Sequence, residues 1–287
     1  MMHINKRKFV LTLSCSDRAG IISTISNFVT TSGGNIIESG QYVDPDKNRF
    51  FMRLCFEINE ATVLADFKDN FTKDVPTTDM EWNIHDLSVK PRVLIMVSQL
   101  GHCLNDLLYR YSIDQLPMKL VSVVSNHERY KERVEHESIA FHHLPITKDT
   151  KSEQEANLLK LIDDQNIDLV ILARYMQVLS DDLCQKLSGK VINIHHSFLP
   201  SFKGGRPYHQ AHDRGVKLIG ATAHYVTADL DEGPIIEQDV KRVDHAVSAD
   251  DMVAIGRDTE TQVLAKAVKL QLEHRILKHD HRTVIFQ

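Results

Sequence analysis

The pattern of hydrophobic and polar positions changes character near residue 90. Before that point it alternates between the period of a strand and that of a helix. Met52, Leu54 and Phe56 share one face of a predicted strand, whereas Arg53 lies on the other face. The predicted order is βαββαβ, with strands at 8–16, 35–43, 52–58 and 82–89. The first helix starts from Ala19 and is stopped by Gly33-Gly34, and the second lies at 61–71. This order favours an antiparallel sheet with both helices on one face.

After residue 91 the apolar runs are short and continuous, which is typical of the buried strands of a parallel sheet. These strands are predicted at 92–98, 119–125, 168–173 and 191–195, with helices at 103–111, 152–165 and 180–187. The remaining elements are a hairpin at 219–226 and 235–243 and a long helix at 249–278. We therefore predict an α/β chain, with an N-terminal domain at 1–86, a linker at 87–91 and a doubly wound, mostly parallel sheet at 92–287.

Composition narrows the classes of ligand and compartment. The formal net charge of -5 over 287 residues provides no broad basic surface for a nucleic acid. The four cysteines form no Cys-x-x-Cys pair and are too few to cross-link a chain of this size, which favours a reducing cytoplasm. The apolar run at 9–13 is too short for a signal peptide or a membrane span. We expect a small-molecule ligand.

Asn193 and His195 end a predicted strand, at the start of a dense polar and aromatic segment that runs to Gly204. Since successive side chains of a strand alternate, both residues point to the same side. An amide and an imidazole in this position suit the binding of a carbonyl oxygen and the movement of a proton. A polar strand end that only caps the following loop fits the same residues, so this step alone leaves both interpretations open.

A second polar cluster contains Asp231, followed two positions later by Gly233. Acidic turns of this kind are usually solvated hairpin loops. Taken together with Asn193 and His195, however, the Asp-x-Gly turn resembles the signature of the folate-dependent formyltransferases. The resemblance spans 92–243, and it implies the α/β fold of that family with these three polar residues as the catalytic set.

Within this family the sequence is most similar to the deformylases. Transferase members usually carry Pro after the histidine, where this chain has His196. The further segments that resemble deformylases are 101–108, 172–177, 207–210 and 219–225. The segment Asp17-Arg18-Ala19-Gly20-Ile21 resembles the opening of an ACT domain, an amino-acid-sensing module. An ACT domain ahead of this catalytic domain is the arrangement of the formyltetrahydrofolate deformylases.

The resemblance implies hydrolysis of 10-formyltetrahydrofolate to tetrahydrofolate and formate. It also implies that the formate serves purine synthesis and that the reaction balances the one-carbon folate pool. No cofactor is required, because the folate is the substrate. Asn193 would bind the carbonyl oxygen. His195 would either stabilise the oxyanion as imidazolium or deliver a proton to the leaving N10, and Asp231 would favour the charged imidazole and orient the water. Formyl transfer to an amine such as glycinamide ribonucleotide and a non-catalytic folate or amino-acid sensor are the alternatives.

The same resemblance assigns 174–179 to the folate pocket, where backbone groups bind the pterin. The expected substrate-binding residues are Arg174, Met176, Val178, Leu179, His196 and Gly204. The three apolar side chains of this set would form the wall that a flat heterocycle needs. Ordinary core positions are the alternative interpretation of the same three residues.

A metal site and a dinucleotide site receive little support from the sequence. The adjacent pairs His142-His143 and His195-His196 would point to opposite faces of a strand, so neither pair readily chelates one ion. No His-Glu-x-x-His motif accompanies them, and we expect no metal. The loop at 98–102 has a lone glycine in place of Gly-x-Gly-x-x-Gly, which leaves phosphate binding there in doubt.

The ACT-like segment implies regulation by a small amino acid, by resemblance glycine or methionine. Such an effector would bind near Asp17, Arg18, Ala19, Gly20 and Ile21. Modules of this type commonly pair sheet to sheet. We therefore expect a homo-oligomer.

Overall fold

The computed structural model describes residues 6–197 and 207–287, which form two compact units. The first unit contains the chain up to Lys90, together with Glu273–His279 and Thr283–Gln287. The second unit contains Pro91–Leu272 and Asp280–Arg282. The main boundary, between Lys90 and Pro91, lies at the change of hydrophobic pattern in the sequence.

The first unit contains a four-stranded antiparallel sheet in the order β2-β3-β1-β4. Its elements are β1 (Lys6–Ser16), α1 (Ile21–Thr31), β2 (Asn35–Asp44), β3 (Arg49–Asn59), α2 (Leu64–Asp74) and β4 (Glu81–Asp86). Phe28 of α1 packs edge-on against Phe67 and Phe71 of α2, and Phe67 stacks on Phe56 of β3. The predicted βαββαβ order and antiparallel sheet are confirmed.

The second unit contains a seven-stranded sheet in the order β11-β10-β9-β8-β5-β6-β7. Its strands are β5 (Arg92–Val97), β6 (Lys119–Ser125), β7 (Ala140–His143), β8 (Leu169–Leu172), β9 (Val191–His195), β10 (Leu218–Tyr225) and β11 (Ile235–Arg242). Its helices are α3 (His102–Ser112), α4 (Lys131–His136), α5 (Lys151–Asp164), α6 (Asp181–Lys186), α7 (Pro207–Asp213) and α8 (Ala249–Leu272). Strands β5 to β9 pair in parallel, whereas β10 and β11 pair antiparallel, which confirms the mostly parallel α/β prediction.

The strand order places a cleft at the carboxyl ends of β5 and β8. Because β5 lies between β6 and β8, the chain winds in opposite directions from this point, where open α/β sheets bind their ligands. The segments that follow the two strands are tied together. The N–H of Ser98 donates to the carbonyl oxygen of Arg174 at 3.2 Å, and the N–H of Met176 donates to Ser98 Oγ at 3.0 Å.

The end of the chain differs from the prediction of one helix over 249–278. That prediction is wrong in its last part, because α8 ends at Leu272 and a hairpin of β12 (Ile276–His279) and β13 (Arg282–Ile285) follows. His274 takes a left-handed backbone φ of 52°, which is incompatible with a continuing right-handed helix. The apolar spacing from Leu272 to Ile276 conceals this break in the sequence.

The hairpin segment groups mainly with the first unit, whereas the sequence predicted 92–287 as one domain. Arg53 of β3 provides the physical reason, because its side chain is buried beneath this segment. The guanidinium of Arg53 donates to the backbone oxygens of Glu273 and His274, each at 3.1 Å. The chain end therefore covers the face of β3 that is opposite the helices.

Two further features bear on the sequence predictions. All four cysteines are buried and have free thiols. Within residues 6–197 and 207–287, no helix is both long enough and apolar enough to cross a membrane.

Candidate active site

Asn193 and His195 of β9 both line a cavity of about 320 Å³. This volume lies at the lower end of the range for small-molecule sites. The register of the antiparallel β9–β10 pair sets His224 directly across from Asn193, and Thr222 across from His195. The polar pair of Asn193 and His195, predicted on one strand, is therefore part of a polar surface that two strands share.

Asp231 reaches the same cavity from the turn that connects β10 and β11. The turn folds back closely on β10, and the N–H of Tyr225 donates to the carbonyl oxygen of Pro234 at 3.0 Å. A Cβ at Gly233 would lie 1.8 Å from the carbonyl oxygen of Tyr225, so no other residue fits this approach. Asp231 itself has a left-handed φ of 59°, a strained backbone conformation of the kind that concentrates at functional sites.

His195 donates a hydrogen bond to Asp231, with 3.2 Å between His195 Nδ1 and Asp231 Oδ2. The hydrogen bond from His195 lowers the pKa of Asp231 against the opposing effect of burial, so the carboxylate is ionised at neutral pH. An ionised carboxylate only accepts, and Nδ1 therefore carries the proton of this contact. His195 Nε2 is buried and has no hydrogen-bond partner among the described residues, which leaves it available to a substrate.

His224 orients the amide of Asn193. Its Nδ1 lies 2.9 Å from the carbonyl oxygen of Tyr225, which can only accept, so Nδ1 carries a hydrogen. Burial lowers the pKa of His224, and the ring is neutral at neutral pH. Nε2 then accepts from Asn193 Nδ2 at 3.3 Å, and the second hydrogen of that amide nitrogen is free to bind another oxygen.

His196 presents an uncharged imidazole beside His195. Burial, with smaller contributions from the positive charges of Arg174 and His195, lowers its pKa to about 4. Its ring lies edge-on to that of His195, with 5.1 Å between the centroids. His196 Nδ1 is buried and has no partner among the residues that the structure describes.

The segment predicted to bind folate forms one wall of the cavity. Met176 and Val178 expose 55% and 56% of their surface, so they offer an apolar face to a ligand rather than filling the core. Leu179 lines the cavity but also belongs to the buried core with Leu158 and Cys184. Gly204 lies outside the described residues.

Arg174 is buried, and its Nε lies 3.3 Å from Glu260 Oε2. Its backbone φ is 65°, a left-handed conformation that is uncommon for a residue with a side chain. The guanidinium is therefore engaged within the protein, whereas the carbonyl oxygen is held by the N–H of Ser98. The contribution of Arg174 to a ligand would come from its position in the cavity wall.

One group of residues has the spacing of metal ligands within 6–197 and 207–287, namely His102, Cys103 and Glu260. Burial and the charge of Glu260 raise the pKa of the Cys103 thiol well above its usual range, so the sulfur is protonated. Glu260 is already paired with the cation of Arg174. These properties make the group a poor fit to a divalent ion.

The predicted regulatory segment connects β1 to α1 in the first unit. Gly20 precedes the helix with φ 91°, and Ile21 is buried as its first residue. Arg18 Nη1 binds both carboxylate oxygens of Asp79 at 2.9 Å. Asp17 donates its N–H to the carbonyl oxygen of Asn48, and Ala19 is exposed.

Two residues of the second unit, His224 and Glu260, were missed by the sequence analysis. His224 lies 31 positions from the amide that it orients, and nothing local to β10 indicates that pairing. In the sequence it belongs to the deformylase-like segment 219–225 and lies just before the acidic turn, but neither signal assigns it a partner. Glu260 resembles any exposed carboxylate of a long helix, yet it is 1% exposed.

Comparisons with known proteins identify the family of this chain. Residues 91–268 match the formyl transferase family. The formyltetrahydrofolate deformylase of Corynebacterium sp. (strain P-1) is 48% identical over 281 residues, which cover 98% of each chain. The structure of the formyltetrahydrofolate deformylase from Burkholderia mallei ATCC 23344 has a TM-score of 0.93 and 47% identity, and the match covers 98% of this chain and 100% of that one.

A transferase is also similar, at lower identity. The structure of glycinamide ribonucleotide transformylase 1 from Symbiobacterium toebii has a TM-score of 0.65 and 26% identity. The match covers 71% of this chain and 98% of that chain.

Proposed function

We propose, on the premise that this chain belongs to the formyl transferase family and within it to the formyltetrahydrofolate deformylases, that it hydrolyses 10-formyltetrahydrofolate to tetrahydrofolate and formate. The observation that carries the proposal is the hydrogen bond of His195 to Asp231, with Nε2 left free beside an amide that His224 orients. These groups supply a proton carrier and an oxyanion donor in one cavity.

In the proposed reaction, a water oxygen attacks the formyl carbon and negative charge develops on the formyl oxygen. Asn193 donates its second amide hydrogen to that oxygen. One such donor, held in place before the reaction, contributes about 2.7–4 kcal/mol to lowering the barrier. His224 supports this role because a hydrogen bond to its neutral ring orients the amide.

His195 carries the proton from the water to the leaving nitrogen. Its Nε2 removes a proton from the attacking water, and the same proton is then delivered to N10 as the bond between the formyl carbon and N10 breaks. Asp231 holds the ring through Nδ1 and stabilises the positive charge that forms on it. The products are tetrahydrofolate and formic acid, which releases its proton to the solvent as formate.

The folate would lie against the exposed apolar surface of Met176 and Val178. A flat heterocycle that covers these side chains removes apolar area from water, which is favourable at about 25 cal/mol per Å². Backbone groups of the same wall would bind the polar edge of the ring. The variant Val178→Glu would place a charge in the wall, and we expect a raised KM with a smaller change in kcat.

Formate release from 10-formyltetrahydrofolate by the purified protein, without any amine, tests the proposal. We expect tetrahydrofolate and formate in equal amounts, and a loss of about 10²–10⁴ in kcat for His195→Gln, as for other residues that transfer protons. The matched control is His212→Gln, which removes another histidine beside an aspartate, in an exposed position on α7. Formate that appears only when an amine is supplied, or full activity in His195→Gln, would contradict the proposal.

One further role concerns the products of this reaction. The formate would serve purine synthesis, and the tetrahydrofolate released would balance the one-carbon folate pool.

The sheet of the first unit would act as an ACT domain that binds glycine or methionine near Gly20, in a homo-oligomer. Titration of each amino acid should then change the hydrolysis rate and release heat, and sedimentation should give more than one subunit. No response to either amino acid would contradict the regulatory role.

A further inference from the structure

A second cavity, of about 250 Å³, lies beside the proposed active site in the second unit. Both cavities are lined by Arg174, Met176 and His196, so these side chains form the wall between them. The second cavity also contacts Tyr208 of α7 and Glu260 of α8. It adjoins the first cavity at this wall.

Glu260 is the centre of a buried polar network at this wall. Its carboxylate accepts from His102 Nε2 at 2.7 Å and from the Tyr208 hydroxyl at 2.8 Å, and it pairs with Arg174 Nε at 3.3 Å. Burial would raise the pKa of Glu260, but the hydrogen bond from His102 and the charge of Arg174 outweigh it and lower the pKa. The carboxylate is therefore charged at neutral pH although it is 1% exposed.

Helix α8 has a glycine, Gly256, where the ring of Tyr208 packs against it. A Cβ at Gly256 would lie 2.1 Å from Tyr208 Cζ, so the tyrosine ring packs directly on α8 at this position. Gly256 and Glu260 are one helical turn apart, on the same face of the helix. The hydroxyl of Tyr208 thereby reaches the carboxylate, and burial raises the pKa of Tyr208 so that the hydroxyl stays protonated and donates.

A buried ion is costly, and its retention calls for a compensating role. An amine acceptor has to approach the formyl carbon from the side that folate does not fill. On that side Glu260 is already occupied by three internal partners, and the cation of Arg174 remains in the wall. The Arg174 side chain, paired with Glu260, lies in the wall between this space and the first cavity.

We propose that Glu260 is a specificity-determining positioning residue, which holds Arg174 in the wall between the two cavities and thereby excludes amine nucleophiles from the formyl group. Water needs no such approach, because it fits beside His195 within the first cavity. The proposal rests on the proposed hydrolysis and adds the means by which transfer is prevented. When Glu260 loses its charge, Arg174 is released, and an amine reaches the formyl carbon.

The balance of the excluded reaction is simple. The amine nitrogen forms a bond to the formyl carbon, the bond from that carbon to N10 breaks, and one amine proton passes to N10. The products are a formamide and tetrahydrofolate. The ratio of formamide to formate therefore reports on the choice of nucleophile in each turnover.

The test uses the full chain, 10-formyltetrahydrofolate and glycinamide as the probe amine. Glu260→Gln keeps the shape of the side chain and removes its charge, and Tyr208→Phe removes one hydrogen bond. We expect the ratio of N-formylglycinamide to formate to rise by about tenfold or more in Glu260→Gln, within the discrimination that one contact in a pocket provides. A smaller rise is expected in Tyr208→Phe. The control, Glu237→Gln, breaks the ion pair of another carboxylate with Lys266 of α8 and should leave the ratio unchanged.

The product ratio does not depend on how much of the protein is folded, so partial unfolding of a variant cannot imitate the expected result. An unchanged ratio in both variants, with only a lower kcat, would overturn the proposal and assign the network to stability. If the wild-type protein releases no formate without an amine, the proposed hydrolysis fails instead. The two failures are therefore distinguishable.

Discussion

Replacement of His224 by phenylalanine tests whether the neutral imidazole acts on the reaction through Asn193. The side chain is 2% exposed, and a ring of similar size fills the same space without a nitrogen to accept from the amide. Asn193 would keep its own position on β9, but its amide would lose the partner that orients it. We expect a lower kcat and a nearly unchanged KM, since neither residue belongs to the proposed folate wall.

The magnitude follows from the two hydrogen bonds of the amide. Loss of the oxyanion donor in Asn193→Ala removes about 2.7–4 kcal/mol of transition-state stabilisation, or about 10²–10³ in kcat. Loss of one orienting hydrogen bond in His224→Phe removes about 1–2 kcal/mol, or about 5- to 30-fold in kcat. Because the second residue acts through the first, the double variant should be no slower than Asn193→Ala alone.

Single-turnover measurement of formate release in the wild type, the two single variants and the double variant completes the cycle. His224→Gln should recover part of the rate, since its amide can both donate and accept. Losses that simply add in the double variant would refute the reasoning, because His224 would then act independently of Asn193. A raised KM with unchanged kcat in His224→Phe would refute it as well.

Three further predictions concern charge and stability. Asp231→Asn should lower kcat by about 10²–10⁴; because the wild-type pKa lies below its ordinary range, any loss of activity between pH 5 and 7 belongs to another group. The ring of His274 stacks on that of His85, with 3.7 Å between the centroids, and burial lowers the pKa of His274 from 6.5 to about 4. As the pH falls from 6.5 to 4, the unfolded chain therefore binds a proton that the folded chain does not, and the free energy of unfolding falls. At about 1.4 kcal/mol per pKa unit this amounts to at most about 3.5 kcal/mol, and denaturant unfolding of His274→Phe should show a weaker pH dependence. Removal of 273–287 should strip the buried Arg53 of its backbone acceptors and destabilise the first unit by about 3–5 kcal/mol, with faster hydrogen exchange in β3, whereas unchanged exchange would contradict this.

Much of the fold is encoded locally. Strict alternation at Met52, Leu54 and Phe56 predicts the face of β3 that packs against the helices, because each side chain of a strand faces opposite to its neighbours. Continuous apolar runs predict the parallel strands of the second unit, because both faces of such strands are buried. The end of α8 was not predictable in this way, because the left-handed turn at His274 interrupts an apolar spacing that continues past it.

The candidate site divides along the same line. The sequence by itself determined that Asn193 and His195 share one side of a strand, and short motifs related them to Asp231 and to a known family. Only the tertiary structure decided that His224 faces Asn193, because that contact depends on the register of two strands that are distant in the sequence. It also decided that Glu260 is a buried ion, since the carboxylate of α8 and the first residue of α3, His102, are 158 positions apart and meet only in the folded chain. Periodicity reports the face that a residue occupies, whereas its partner is set by the packing of that face against another element.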